Sequence, residues 1–357
     1  MKNKHGFAAV IGSVALISSL VACAPTGAGG DVPDGELSGS IAFLMPDLAS
    51  TRYEQQDSPL FTAAVLELCP ACEVNYQNAD GDPATQQEQA EAAIADGVDV
   101  IVLNAVDTKA AASIVVNAQS QGIPVITYDR PIVDTPADFY ISFDNELIGY
   151  LIGTSLLDQL DEEGASGGIL QVNGSPTDNA AGLIRDGVDR AIEESGREEL
   201  AEFDTPAWDP QEAQDWVSGQ IAQFGSSIAG VIAANDGTGG GSIAALRAAG
   251  VDPLPPVSGN DAEIAAIQRI IAGDQFNTIS KPIRTVAEAA AEVAVQFLSG
   301  ETPEGDSMLF DTPSQLFEPE IVTVDNVAEI IFDGGIYTAA DVCTDEYAAR
   351  CAELGIE

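Results

Sequence analysis

The chain has 357 residues, enough for two domains with sizeable cores, and its 45% hydrophobic content excludes a wholly disordered polymer. Acidic residues outnumber basic ones 57 to 13, a formal charge of −44, and such a surface repels nucleic acid and anionic headgroups. The single histidine, His5, falls in a leader-like segment, so the rest of the chain cannot build a Ser-His-Asp triad, a Cys-His pair or a histidine-ligated metal site.

Lys2 and Lys4 give a short positive head, and Phe7 to Ala22 form an uncharged apolar run of secretory length. The run ends Leu20-Val21-Ala22-Cys23, which resembles the lipobox of bacterial lipoproteins. Residues 1–22 are therefore expected to be a signal peptide, with Cys23 lipidated and residues 23–37 a Gly/Pro-rich tether. The expected location is the outer face of the cytoplasmic membrane or the periplasm, with membrane contact through the lipid alone. Export also bears on Cys69 and Cys72, in a CPAC motif, and on Cys343 and Cys351. In an oxidising compartment two local disulfides, 69–72 and 343–351, are favoured over a zinc site or a redox pair, although spacing does not prove connectivity.

Beyond the tether, short β-branched runs alternate with helical stretches. Strands are predicted at 40–45, 73–78, 99–105, 124–129 and 139–143, then at 168–173, 229–233, 256–258 and 276–280. Ala-rich segments with helical spacing fill the gaps at 84–96, 110–121, 184–194 and 285–298. Gly97, Gly122, Gly196, Gly250 and Gly273 stand where helices should stop. This alternation predicts an α/β fold of two doubly wound parallel sheets, because nine or more units exceed one comfortable sheet. Ligands in such folds bind beyond the carboxyl ends of the strands.

Polar residues collect at those ends. They are Arg52-Tyr53, Asp129-Arg130 and Asp144-Asn145 in the first series, and Asp178-Asn179, Asn235-Asp236, Asn260-Asp261 and Lys281 in the second. Carboxylates, amides, guanidinium groups and an ammonium without a nucleophile–base pair suit a neutral polyhydroxylated ligand, whose hydroxyls both donate and accept. Trp208 offers an indole face to the C–H side of a sugar ring. Singly, each feature has a plainer role: Asp144, Asp178 or Asp236 as a helix N-cap, Asp129-Arg130 as a local ion pair, Trp208 and Trp216 as core. The GTGGG run lacks the Gly-Lys-Ser/Thr of a phosphate loop, and Asp80-Gly81-Asp82 lacks the rest of a calcium loop. No cofactor or metal is expected.

The stretches ADGVDVIVLNAVD, GIPVITYDRPI, DFYISFDNELIG, NGSPTDNA, AANDGTGGGSIAALRAAG, VSGNDAEIAAIQRIIAGDQFNTISKPI and PSQLFEPEIVTVDN, spread over roughly residues 40–335, carry a family resemblance. The chain resembles the sugar-binding receptors of ABC transporters, in the ribose-binding-like type I group of periplasmic binding proteins, and within it the xylose and multi-sugar receptors. The resemblance implies a sugar site of Arg52, Asp129, Arg130, Asp178, Trp208, Asn235, Asp261 and Lys281, with Tyr53 standing where xylose receptors have tryptophan. Ala180 replaces an asparagine and Ala49 an arginine of those receptors, which bears on the preferred sugar. The family fold implies three crossings between lobes, near 143–145, 279–282 and 313–319. One lobe would then hold 38–143 and 283–313, the other 144–282 and 314–357. The implied partners are a monosaccharide, D-xylose or a related aldopyranose, and an ABC permease; the protein is expected to be a monomer and not an enzyme. A sensory receptor feeding a kinase or chemoreceptor shares fold and site. A glycosidase using Asp129 and Asp261 is disfavoured, because nearby arginines and Lys281 keep both carboxylates ionised.

Overall fold

The computed structural model describes residues 37–344 and 346–356; the signal peptide, Cys23 and almost all of the tether lie outside the described residues. Everything from Leu37 onward forms one compact unit. Among the described residues no helix is long and apolar enough to cross a membrane.

The first lobe opens with β1 (Ser40–Met45), α1 (Ser58–Leu68), β2 (Glu73–Asn78), α2 (Pro83–Asp96), β3 (Val100–Leu103), α3 (Ala112–Ser120), β4 (Val125–Tyr128) and β5 (Phe139–Phe143). The second follows with α4 (Asn145–Glu162), β6 (Gly168–Asn173), α5 (Asn179–Ser195), β7 (Glu199–Asp204), α6 (Pro210–Phe224), β8 (Ile228–Ala233), α7 (Asp236–Ala248), α8 (Ile264–Ala272) and β9 (Asn277–Ser280). The chain returns to the first lobe for α9 (Ile283–Leu298), β10 (Ser307–Leu309) and β11 (Thr312–Phe317). It ends in the second lobe with β12 (Glu320–Thr323), α10 (Ala339–Val342) and α11 (Ala348–Glu353).

The first sheet has seven strands in the order β10-β11-β5-β4-β3-β1-β2, all parallel except the β10–β11 pair. Alternate residues of β1 feed opposite faces: Ile41, Phe43 and Met45 join one core cluster, Ala42 and Leu44 another. A strand buried on both faces reads as a continuous apolar run, which explains why this lobe was visible in the sequence. Most crossovers to neighbouring parallel strands run through helices, the β4–β5 connection being the exception, and α2 and α3 cover the face that α1 and α9 leave open.

The second lobe is less regular. Its parallel sheet has three strands, β7-β6-β8, beside an antiparallel β9–β12 pair. The predicted strand at 256–258 is reduced to one parallel bridge, Val257 to Val231. Ser314–Phe317 pair with Tyr140–Phe143 of the first sheet, so the chain stays with that sheet beyond the expected lobe bound at 313 and leaves it at Glu318–Pro319, inside the expected 313–319 crossing. The other crossings fall at Asp144 and at Lys281–Pro282. Disulfides join Cys69 to Cys72 and Cys343 to Cys351, the latter holding the terminal segment against the Ile267, Ile270 and Ile271 face of α8.

Helices α4 and α5 pack closely because glycines face the contact. A Cβ at Gly149 would sit 1.9 Å from the Ile184 carbonyl oxygen, and one at Gly187 2.1 Å from that of Glu146. That approach brings the start of α4 and the first turns of α5 to one wall of the cleft.

Candidate ligand-binding site

A cavity of about 30 Å³ lies beyond the carboxyl ends of the strands of both lobes. Its lining includes all nine residues expected from the sequence: Arg52, Tyr53, Asp129, Arg130, Asp178, Trp208, Asn235, Asp261 and Lys281. Ser50, Asn145, Ala180, Ile184 and Asn260 complete it. Ile184 was invisible as a site residue because it sits on the apolar face of an amphipathic helix, where such a residue normally reads as core. Asn145 and Asn260 carried a positional signal, since each adjoins an aspartate at a strand end.

Arg52 is held from below. Its Nε and Nη2 donate to the two oxygens of Asp57 at 3.1 and 3.0 Å, and the Tyr128 hydroxyl donates to Asp57 at 2.6 Å. Asp57 is fully buried, and burial pushes its carboxyl up while Arg52 opposes the shift. With one edge fixed, the guanidinium reaches Asp129 at 3.5 Å and, across the cleft, Asp261 at 3.4 Å. Arg130 is engaged on every side, by Asp47 at 2.9 Å, Asp178 at 3.0 Å, the Ala105 carbonyl at 3.0 Å and the Tyr53 hydroxyl at 3.3 Å. Burial opposes protonation of both arginines, but the surrounding negative groups outweigh it and raise both further.

Burial alone would raise Asp129, but Arg52, Lys281 and Arg130 outweigh it and bring the carboxyl down to about 2. It remains an acceptor, as the charge pattern required. Its protein contacts are long, 3.3 Å from Tyr53 and 3.5 Å from Asn104, so it retains capacity for ligand hydroxyls. Asp261 accepts from Lys281 at 2.7 Å through Oδ1. Asp178 is more fully used: Oδ1 caps α5 through the Ala180 amide, and Oδ2 receives Arg130 and the Trp208 indole N–H at 3.1 Å. It is therefore an N-cap and a site wall together. Asp144 caps α4, whereas Asn235, not Asp236, caps α7 by accepting the Thr238 amide.

Backbone geometry aims several of these groups. Asp129, Trp208 and Asp261 have φ of 67°, 58° and 102°, values that side-chain-bearing residues seldom adopt. Trp208 follows β7 in a short 3₁₀ turn, and its ring crosses Gly174, where a Cβ would be 2.1 Å from an indole carbon. Trp216, by contrast, stacks on Phe203 within the second lobe. Asn260 is 2% exposed and its Oδ1 has no partner, an acceptor waiting at the cavity wall.

The sequence compares with known proteins along most of its length. A family model described as a periplasmic binding protein domain matches residues 41–302. The D-xylose-binding periplasmic protein of Escherichia coli is 34% identical over 310 residues, 85% of this chain and 92% of its own length. The multiple sugar-binding periplasmic receptor ChvE of Rhizobium radiobacter is 29% identical, covering 84% of this chain and 91% of that protein. A solute-binding protein from Clostridium phytofermentans, solved with bound β-D-glucose, superposes with a TM-score of 0.76 at 28% identity, over 85% of this chain and 99% of that one. The family is one of binding proteins, not of enzymes. Two α/β lobes, a cleft at the strand ends and these matches agree: the chain belongs to the periplasmic binding protein family.

Proposed function

We propose that the protein captures a monosaccharide, D-xylose or a related aldopyranose, between its two lobes and delivers it to an ABC sugar permease. One observation carries this reading: acceptors with spare capacity on both lobes, Asp129 and Asp261, face each other around a shared Arg52. A ring with hydroxyls on both edges can accept from the cationic groups and donate to the carboxylates at once. Relatives named for xylose and for multiple sugars support the ligand class. Relative to those receptors Ala180 leaves extra room at the wall, so arabinose, galactose and glucose follow xylose in the expected order.

Bridging sugar favours closure about the three crossings by its differential contacts with the closed form. Lipid attachment at Cys23 would keep the receptor at the membrane face as a monomer, and Cys23→Ala should abolish its partition into detergent. Isothermal titration of the purified protein against a panel of aldoses tests the central claim, with the sugar recovered unchanged. Heat for none of them, or recovery of a chemically altered sugar, refutes it.

A further inference from the structure

Beside the first cavity lies a second and larger one, of about 270 Å³, also built from both lobes. Val106 and Pro83 line it from the first lobe, Pro176, Pro206 and Ala207 from the second. Arg130 and Trp208 are walls common to both cavities. Most of the polar groups at its edge are already engaged. Asp47 accepts the amides of Ala49 and Ser50 on one oxygen and Arg130 on the other. Asp107 accepts the amides of Lys109 and Ala110, and the Ser175 and Thr177 hydroxyls pair at 3.0 Å. What remains for an occupant is mainly proline, valine and alanine carbon and the indole of Trp208, with the second oxygen of Asp107 at the edge. The wall is rigidly held, because Ala207 and Trp208 adopt consecutive left-handed conformations and the indole is seated on Gly174 with its N–H on Asp178.

We propose that this second cavity binds a small apolar group of phenyl size alongside the sugar. The inference rests on the monosaccharide reading of the adjoining site. The group can arrive as the aglycone of a glycoside or as a separate aromatic molecule. In either case it touches both lobes, favours the closed form, and by linkage tightens sugar binding.

The test titrates wild-type protein with the aldose it binds best, with the phenyl glycoside of that sugar, and with the sugar in saturating phenol. Burying a phenyl ring predicts a gain of about tenfold or more in one arm, and the arm that gains identifies the source. Val106→Trp, which fills the cavity, should remove that gain while sugar affinity stays within about threefold of wild type. Should Val106→Trp lose the sugar as well, Pro83→Trp serves as the filled variant. No gain in either arm, or a gain that survives filling, overturns the proposal. Failure of wild type to bind any aldose refutes the monosaccharide reading instead, so the two failures are distinguishable.

Discussion

A carboxylate offers about four lone-pair sites, and how many of them the protein occupies separates ligand contacts from scaffolding. Asp129 meets its neighbours only at 3.3–3.5 Å, and Asp261 has one short partner, Lys281. Asp57, with three close donors and no exposure, is scaffolding for Arg52. Losing a hydrogen bond to a charged group in a desolvated site costs roughly 1.5–3 kcal/mol, and in the proposed binding mode each carboxylate would serve more than one hydroxyl. Asp129→Ala and Asp261→Ala should therefore each weaken sugar binding by about 100-fold or more by titration. Arg52→Lys should be nearly as damaging, because an ammonium cannot span Asp57, Asp129 and Asp261 from one planar fork. Asn260→Ala should cost about tenfold, since it removes one neutral hydrogen bond, while Glu193→Ala on the exposed side of α5 should leave affinity unchanged. Full affinity in both aspartate variants would defeat the assignment. Arg52, Asp129 and Asp261 were legible in the sequence because each lies at or after a strand end, whereas Asp57, inside the helical segment after Arg52, was not. Ile184 was not, because its helical spacing is that of any core residue.

Elements differ in how plainly they announce themselves. Strands β1, β2, β5 and β6 match their predicted bounds, and β1, β5 and β6 are largely apolar runs closed by polar or Gly/Pro residues. Strands β10, β11 and β12 were not recognised: β10 is a three-residue arm of a hairpin with β11, β11 carries Pro313, β12 lies beside Pro319, and β11 and β12 find partners far away in sequence. The join between α7, α8 and β9 hides a polar device that periodicity cannot show. Asp236, at the first turn of α7, accepts from Gln275, from the Thr278 hydroxyl and from the Glu263 amide, all within 3.0 Å. Burial pushes its carboxyl up to about 8, with Glu263 and Asp261 adding to the shift and Arg269 opposing it. A raised carboxyl means that folding takes up a proton. The contribution is fully present below the ordinary aspartate range and is lost as pH rises through about 8. Denaturation midpoints should accordingly fall between pH 5 and pH 9, roughly the span set by that shift. Asp236→Asn, which cannot ionise, should flatten part of the slope. An unchanged slope in the variant would show that Asp236 is not the group responsible.

At the scale of the molecule the question is what holds two acidic lobes together. A net charge of −44 gives the surface a repulsive field that salt weakens. Against it the cleft sets a few cross-lobe contacts. Arg130 meets Asp178 at 3.0 Å and Arg52 meets Asp261 at 3.4 Å. Around them Thr51 donates to Glu263, Gln56 to Tyr337 at 2.8 Å, and Thr108 to the Thr177 carbonyl. Buried ion pairs recover little more than their desolvation penalty, so these contacts alone leave closure finely balanced. In the proposed binding mode sugar hydroxyls would add bonds to Asp129 on one lobe and to Asp261 and Lys281 on the other, and such differential contacts can move a balanced equilibrium. Small-angle scattering should therefore show a smaller radius of gyration with saturating sugar than without it. The ligand-free radius should also decrease on raising the salt, since screening weakens the repulsion between lobes more than it weakens the buried pairs. Asp261→Ala, having lost its bonds to both Arg52 and the sugar, should remain extended at a sugar concentration that closes the wild type. If sugar binds with full affinity and the scattering profile does not change, the lobes form a rigid receptor and closure is not part of how it works.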